Sequence, residues 1–117
     1  MRRLSIRLLP LAALALFQTE AARAQGEVNI YSYREPALIE PLLTAFSAKT
    51  GIKTNIVFAT AGLNERMAAE GPLSPADLLF TVDAGRLSDA KDAGLTQAVT
   101  SSMLDAVPAA YRDPDGH

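Results

Sequence analysis

The chain has 117 residues, 11 of them basic and 13 acidic, with no cysteine and a single histidine, His117, at its last position. Disulfides and cysteine-based zinc sites are excluded, and no histidine-based catalytic dyad can be built inside a fold. The net charge is −2 over the whole chain and −5 over residues 25–117, and the latter argues against nonspecific nucleic-acid binding and against adhesion to anionic lipid.

The first residues read as an export signal. Arg2, Arg3 and Arg7 form a positive start, residues 8–17 are an apolar run broken only by Pro10, and Ala22-Arg23-Ala24 suits cleavage. That three-part pattern marks a secretory signal peptide over 1–24, and the apolar run is too short to span a bilayer. Residues 25–117 then carry 7 basic and 12 acidic side chains, a net charge of −5. A piece of this size holds one small core, burying roughly 60–65% of the surface its unfolded chain exposes.

Val28, Ile30 and Tyr31 belong to a strand over 28–33, which delivers Ser32, Tyr33, Arg34 and Glu35 to a strand-to-helix turn. Pro36 suits the first turn of a helix, and Leu38, Ile39, Leu42, Leu43 and Phe46 recur at three- and four-residue spacing as one buried face. Pro41 sits inside that pattern, where it removes one backbone hydrogen bond and favours a kink near the helix start, and Gly51 stops the helix. Residues 52–59 alternate as a second strand. Thr60-Ala61-Gly62 is a turn, and 63–70 a short helix with Leu63 and Met67 inward and Asn64, Glu65 and Arg66 toward water.

Gly71-Pro72-Leu73-Ser74-Pro75 is a loop. Residues 76–82 are nearly continuous in apolar character, as buried parallel strands are. Asp83 precedes a helix over 84–93, with Leu87 and Ala90 inward and Gly94 after it. An extended stretch, a short helix over 101–107 capped by Ser101 or Ser102, and a turn at Asp113-Pro114-Asp115-Gly116 complete the chain. The order β-α-β-α-β-α, with connections too long for hairpins, predicts an α/β fold with a parallel sheet.

If the sheet winds outward from its first strand, the strand order is 2-1-3 and the switch point lies between strands 1 and 3. Segments 32–35, 60–62 and 81–83 then converge at the carboxyl edge, where Ser32 and Thr81 would form cleft wall. Arg34 suits bidentate binding of an anion, or is a surface arginine paired with Glu35 or Glu40. Tyr33 is a metal-binding phenolate or ligand wall, or a half-buried core ring. Glu35 would coordinate a hard cation or serve the helix dipole. Asp83 suits a helix cap and is an acid at the same edge. Thr60 and Gly62 offer backbone amides to an anion. Arg86 sits against the dipole of its helix and so implies a partner. No hydrolase, phosphate-loop, zinc-protease or dinucleotide motif is present, and the chain reads as a binding protein and not an enzyme.

The segments VNIYSYREPALIEPLL, AFSAKTGIKTNIVFATAGLNERM, SPADLLFTVDAGRL, AGLTQAV and PAAYRDPDGH, in this order, resemble the N-terminal part of periplasmic ferric-iron-binding proteins. These are the substrate-binding components of iron(III) ABC importers. The resemblance implies a two-lobed fold that closes on its ligand, a monomer in the periplasm, and delivery to a membrane permease. It implies iron(III) held mainly by tyrosine phenolates with a synergistic anion such as carbonate. Arg34 resembles the family's anion-facing arginine of the first lobe. Glu35 stands where some members place a histidine ligand. The Val82 position carries a carboxylate in some members, and here the nearest acid is Asp83.

Family members are much longer, and the tyrosines that supply most of the iron coordination lie in their later part. Residues 25–117 are therefore expected to be a truncated N-terminal lobe segment with the second lobe absent, binding iron weakly by itself. Two other readings stay open: a binding module for another small anion or metabolite, and a nonfunctional remnant.

Overall fold

The computed structural model describes residues 26–117. The signal peptide expected over 1–24 lies outside them.

Three strands form one parallel sheet in the order β2-β1-β3, where β1 is Glu27–Ser32, β2 is Lys53–Phe58 and β3 is Leu78–Phe80. This is the α/β architecture and the strand order expected. Register is fixed by pairs such as Ile30 with Ile56 and Leu78, and Tyr31 with Val57 and Leu79. Because side chains alternate across a strand, β1 serves two layers. Val28, Ile30, Ile56 and Phe80 pack against Ile39 and Leu43 of helix α1 (Pro36–Thr50) on one face. Tyr31, Tyr33, Val57, Ala59 and Leu79 pack against Leu63 and Met67 of helix α2 (Leu63–Glu70) on the other.

A polar ladder reinforces the register near the amino ends of the strands. The Asn55 amide donates to Asn29 Oδ1 at 3.0 Å. The Asn29 backbone N–H donates to an Asp77 carboxylate oxygen at 2.8 Å, and the Asp77 N–H donates to the Asn29 carbonyl at 2.9 Å. Every backbone group tied this way is one less unpaired polar group in a small core.

Helix boundaries obey the local chemistry. Pro36 sits in the first turn of α1, and Gly51 ends the helix at φ 74°, in the left-handed region glycine adopts without strain. Helix α3 (Ala84–Asp92) is capped by Asp83, whose side chain accepts from the Arg86 N–H at 2.8 Å. The helix expected over 101–107 is a 3₁₀ segment, Ser102–Ala106, capped by Ser101. Two further 3₁₀ turns, Gly71–Leu73 and Ala109–Tyr111, were not legible in the pattern.

Three expectations about burial need correction. The inward face of α1 is only Ile39 and Leu43, while Leu38 and Leu42 are 64% and 60% exposed and Phe46 is half-exposed. A three-stranded sheet gives one helix a single seam, so residues 38 and 42, about 100° round the helix from 39 and 43, find nothing to pack on among the described residues. The third strand spans three residues, not the seven expected over 76–82, and Leu78 and Val82 remain partly exposed. Among the described residues it is an edge strand. Pairing stops where the Thr81 hydroxyl turns back to donate to the Asp83 carbonyl at 2.8 Å. In α3 only Ala90 is buried, and Leu87 is 38% exposed.

Candidate functional site at the carboxyl edge of the sheet

At the end of β1 the chain leaves the sheet through a tight polar turn. The buried Ser32 hydroxyl donates to the Arg34 carbonyl at 2.8 Å and accepts from the Arg34 N–H at 3.0 Å. It is spent on shaping that turn. The turn places Arg34 and Glu35 in solvent. Neither makes an ion pair among the described residues, so pairing of Arg34 with Glu35 or Glu40 is not seen. Glu35 occupies the cap position of α1 without a side-chain cap bond.

Tyr33 points the other way, toward α2, and is buried. Its hydroxyl donates to Asn64 Oδ1 at 3.1 Å and accepts from the Asn64 backbone N–H at 2.9 Å. The local reason is clear. The residue before helix α2 is Gly62, which has φ 85° and no side chain to cap the free N–H groups of the first turn. Tyr33 supplies the missing acceptor from the turn that follows β1.

Arg86 completes the cluster. Its guanidinium lies 4.5 Å from the centroid of the Tyr33 ring and donates to the Thr60 carbonyl at 3.0 Å. The Asn64 side-chain amide donates to the Arg86 carbonyl at 3.3 Å. A cation in the first turn of α3 opposes the helix dipole, and the aromatic face and the carbonyl offset that cost. The partner implied by the sequence position of Arg86 is thus found.

Between α2 and α3 a shallow depression of about 510 Å³ is lined by Tyr33, Gly62, Asn64, Glu65, Arg86 and Asp89, among others. Of the residues singled out from the sequence, Tyr33, Gly62 and Arg86 line it. Arg34 and Glu35 stand in solvent at the end of β1. Thr60 contributes its carbonyl to Arg86, Thr81 bonds the Asp83 backbone, and Asp83 caps α3. Asn64 was expected to face water and instead links three segments. Nothing in the helical spacing marked it, because its partners are 31 and 22 residues away. Among the described residues, no group of three or more His, Asp or Glu side chains gathers as a metal site.

The far end of α2 is held as firmly. Both Glu70 carboxylate oxygens accept from the Tyr31 hydroxyl, at 2.8 and 2.9 Å, and Glu70 also pairs with Arg66 at 2.7 Å and accepts from the Ser74 hydroxyl at 2.7 Å. Burial, then the bond to Glu70, raises the Tyr31 pKa. The Arg66 and Ser74 bonds hold the Glu70 carboxyl below its ordinary range. The helix that carries Asn64 is therefore pinned at both ends, by Tyr31 of β1 and by Tyr33 just past the end of that strand.

The chain matches the family model of bacterial extracellular solute-binding proteins over residues 28–114. It is 45% identical over 94 residues to iron uptake protein A1 of Synechocystis, covering 79% of this chain and 26% of that protein. Among solved structures it is similar to the apo ferric ion-binding protein A of Pasteurella haemolytica, with 50% identity and a TM-score of 0.74 over 78% of this chain and 29% of the other. A ferric-binding protein from Bordetella is 53% identical with a TM-score of 0.74, over 77% of this chain and 29% of its own. The chain thus spans between a quarter and a third of the length of these relatives. With the model match running through all three strands and the edge that carries Arg34, the chain belongs to the family of bacterial extracellular solute-binding proteins.

Proposed function

We propose that this chain is the anion-facing N-terminal part of an exported iron(III)-binding protein, which takes up the ion with a synergistic anion such as carbonate and delivers it to an ABC permease from the periplasm. One observation carries this reading. Arg34 stands exposed and without an ion pair among the described residues, at the carboxyl end of the central strand, in a chain similar to ferric-binding proteins. A guanidinium there has its full fork of donors open to an oxyanion, and the ends of parallel strands are where such folds hold ligands. Iron(III) is cargo here, and the family to which the chain belongs consists of binding proteins, not enzymes.

The described residues offer this cargo little direct coordination. The Tyr33 phenol is engaged by Asn64, and no acidic cluster lies nearby. The expected contribution of this part is therefore the anion side of the site, with weak affinity for the metal itself.

The test is an iron(III) titration of the purified chain in carbonate buffer, followed by visible absorbance, circular dichroism and isothermal calorimetry. Arg34→Ala is expected to weaken anion-assisted iron binding about tenfold, the order expected when a charge-assisted contact is lost, and Glu35→Gln less. Equal and negligible effects of both changes would remove Arg34 and Glu35 from the site. Binding of another small oxyanion without any iron dependence would replace iron as the cargo.

A further inference from the structure

The depression between α2 and α3 contains one closed circuit that the anion-facing role of Arg34 leaves unused. Tyr33 bonds Asn64 twice, Asn64 bonds the Arg86 carbonyl, and the Arg86 guanidinium returns to the Tyr33 ring and to Thr60. Its members come from the end of β1, the first turn of α2, the first turn of α3 and the turn after β2. These are the segments that build the carboxyl edge. Tyr33 is also the residue before Arg34, so whatever fixes Tyr33 fixes the base from which Arg34 projects.

We propose that Asn64 and Arg86 are positioning residues that lock Tyr33 as a latch at the carboxyl edge, so that the Tyr33 phenol serves to place Arg34 and the 60–62 turn and not to ligate the metal. This rests on the proposed anion-facing role of Arg34, but the circuit is testable without any ligand. The physical argument is preorganisation. The edge is made of turns, and among the described residues β3 has no strand on its outer side. Turns with few buried contacts open locally at low free energy. The circuit joins them through hydrogen bonds to partly buried groups and a cation over a ring face. Both hydrogen-bonding capacities of the Tyr33 hydroxyl are used, one as donor and one as acceptor. A phenol bound to iron(III) must lose its proton, and with it the bond donated to Asn64 Oδ1.

The experiment is amide hydrogen exchange on the metal-free chain with Arg86→Gln, Arg86→Lys, Asn64→Ala and Tyr33→Phe. Exchange is read at residues 34–35, 61–64 and 84–87, with the β1–β2 ladder as internal reference. Arg86→Gln and Asn64→Ala are expected to speed exchange about tenfold at the edge segments, the scale of one lost charge-assisted or paired bond, and to leave the ladder unchanged. Arg86→Lys is expected to recover most of the protection, because an ammonium still reaches a ring face and a carbonyl. Tyr33→Phe keeps the ring and its packing but removes both bonds to Asn64, so it should speed exchange at the edge segments, at the Asn64 N–H most strongly. A uniform rise over edge and ladder, or no rise at the edge, overturns the latch. A visible iron band present in the parent, retained in Asn64→Ala and lost in Tyr33→Phe would also overturn it, because Tyr33 would then be a ligand. Failure of Arg34→Ala to alter anion-assisted iron binding would sink the functional reading and leave the exchange result standing.

Discussion

The leucines at 38 and 63 look alike in the sequence, each an apolar residue at helical spacing, and the fold separates them sharply. Leu63 is 2% exposed between Tyr31 and Tyr33, and Leu38 is 64% exposed on the outer side of α1. Leu63→Ala removes three buried carbons and leaves a cavity bordered by two tyrosine rings, which are held in place by their own hydrogen bonds and so collapse poorly. A cost of about 3 kcal/mol is expected, within the range for leucine truncation in well-packed cores. Leu38→Ala removes carbons that already meet water and should stay within about 0.5 kcal/mol. With a urea dependence of about 1 kcal/mol per molar for a chain this small, the midpoint of Leu63→Ala should fall by about 3 M and that of Leu38→Ala by less than about 0.5 M. Urea titrations followed by far-ultraviolet circular dichroism measure both. Similar losses for the two variants would mean that the outer face of α1 is covered in solution, and the assignment of a single packing seam would be wrong.

Acid should loosen the C-terminal turn. The Lys91 ammonium beside it, helped by the His117 N–H, holds the Asp113 carboxyl down to about 2. Because its folded pKa lies below the ordinary carboxylate value, the stability it adds is present above about pH 4. That stability is lost as the pH falls from there toward 2, so the amides of Asp115 and His117 should lose exchange protection in that window, and Asp113→Asn should abolish the dependence. For α3, Asp83→Ala should cost about 1 kcal/mol through the lost cap, while Asp83→Asn, which can still accept from the Arg86 N–H, should cost much less in a thermal melt. If Asp83 were a metal ligand, Asp83→Asn would also lower iron affinity in calorimetry. Gly62→Ala meets no neighbouring atom, so its expected cost of about 1 kcal/mol arises from the positive φ alone. A larger loss in melting would reveal a close contact at that turn.

Features that depend on neighbours along the chain were readable from the residues alone. Proline at 36 and glycine at 51 bounded α1, Asp83 capped α3, Ser101 or Ser102 marked the start of the next helical segment, and the strand–helix alternation implied a parallel sheet, with the order β2-β1-β3 following if it winds outward from its first strand. These signals are local: a fixed φ, a missing Cβ, a side chain reaching its own backbone. Features that depend on distant partners were settled by packing. Periodicity marks which residues share a face but not how wide a surface waits for that face, so Leu38 and Leu42 were expected in the core and are not. The polar edge was legible as a place, through the residues that end each strand. Its wiring was not, because Tyr33 reaches Asn64 across 31 positions and Arg86 reaches Thr60 across 26. Such bonds depend on the register of the strands and the entry angle of α2. The assembled sheet and helices fix both, and no spacing in the chain encodes them.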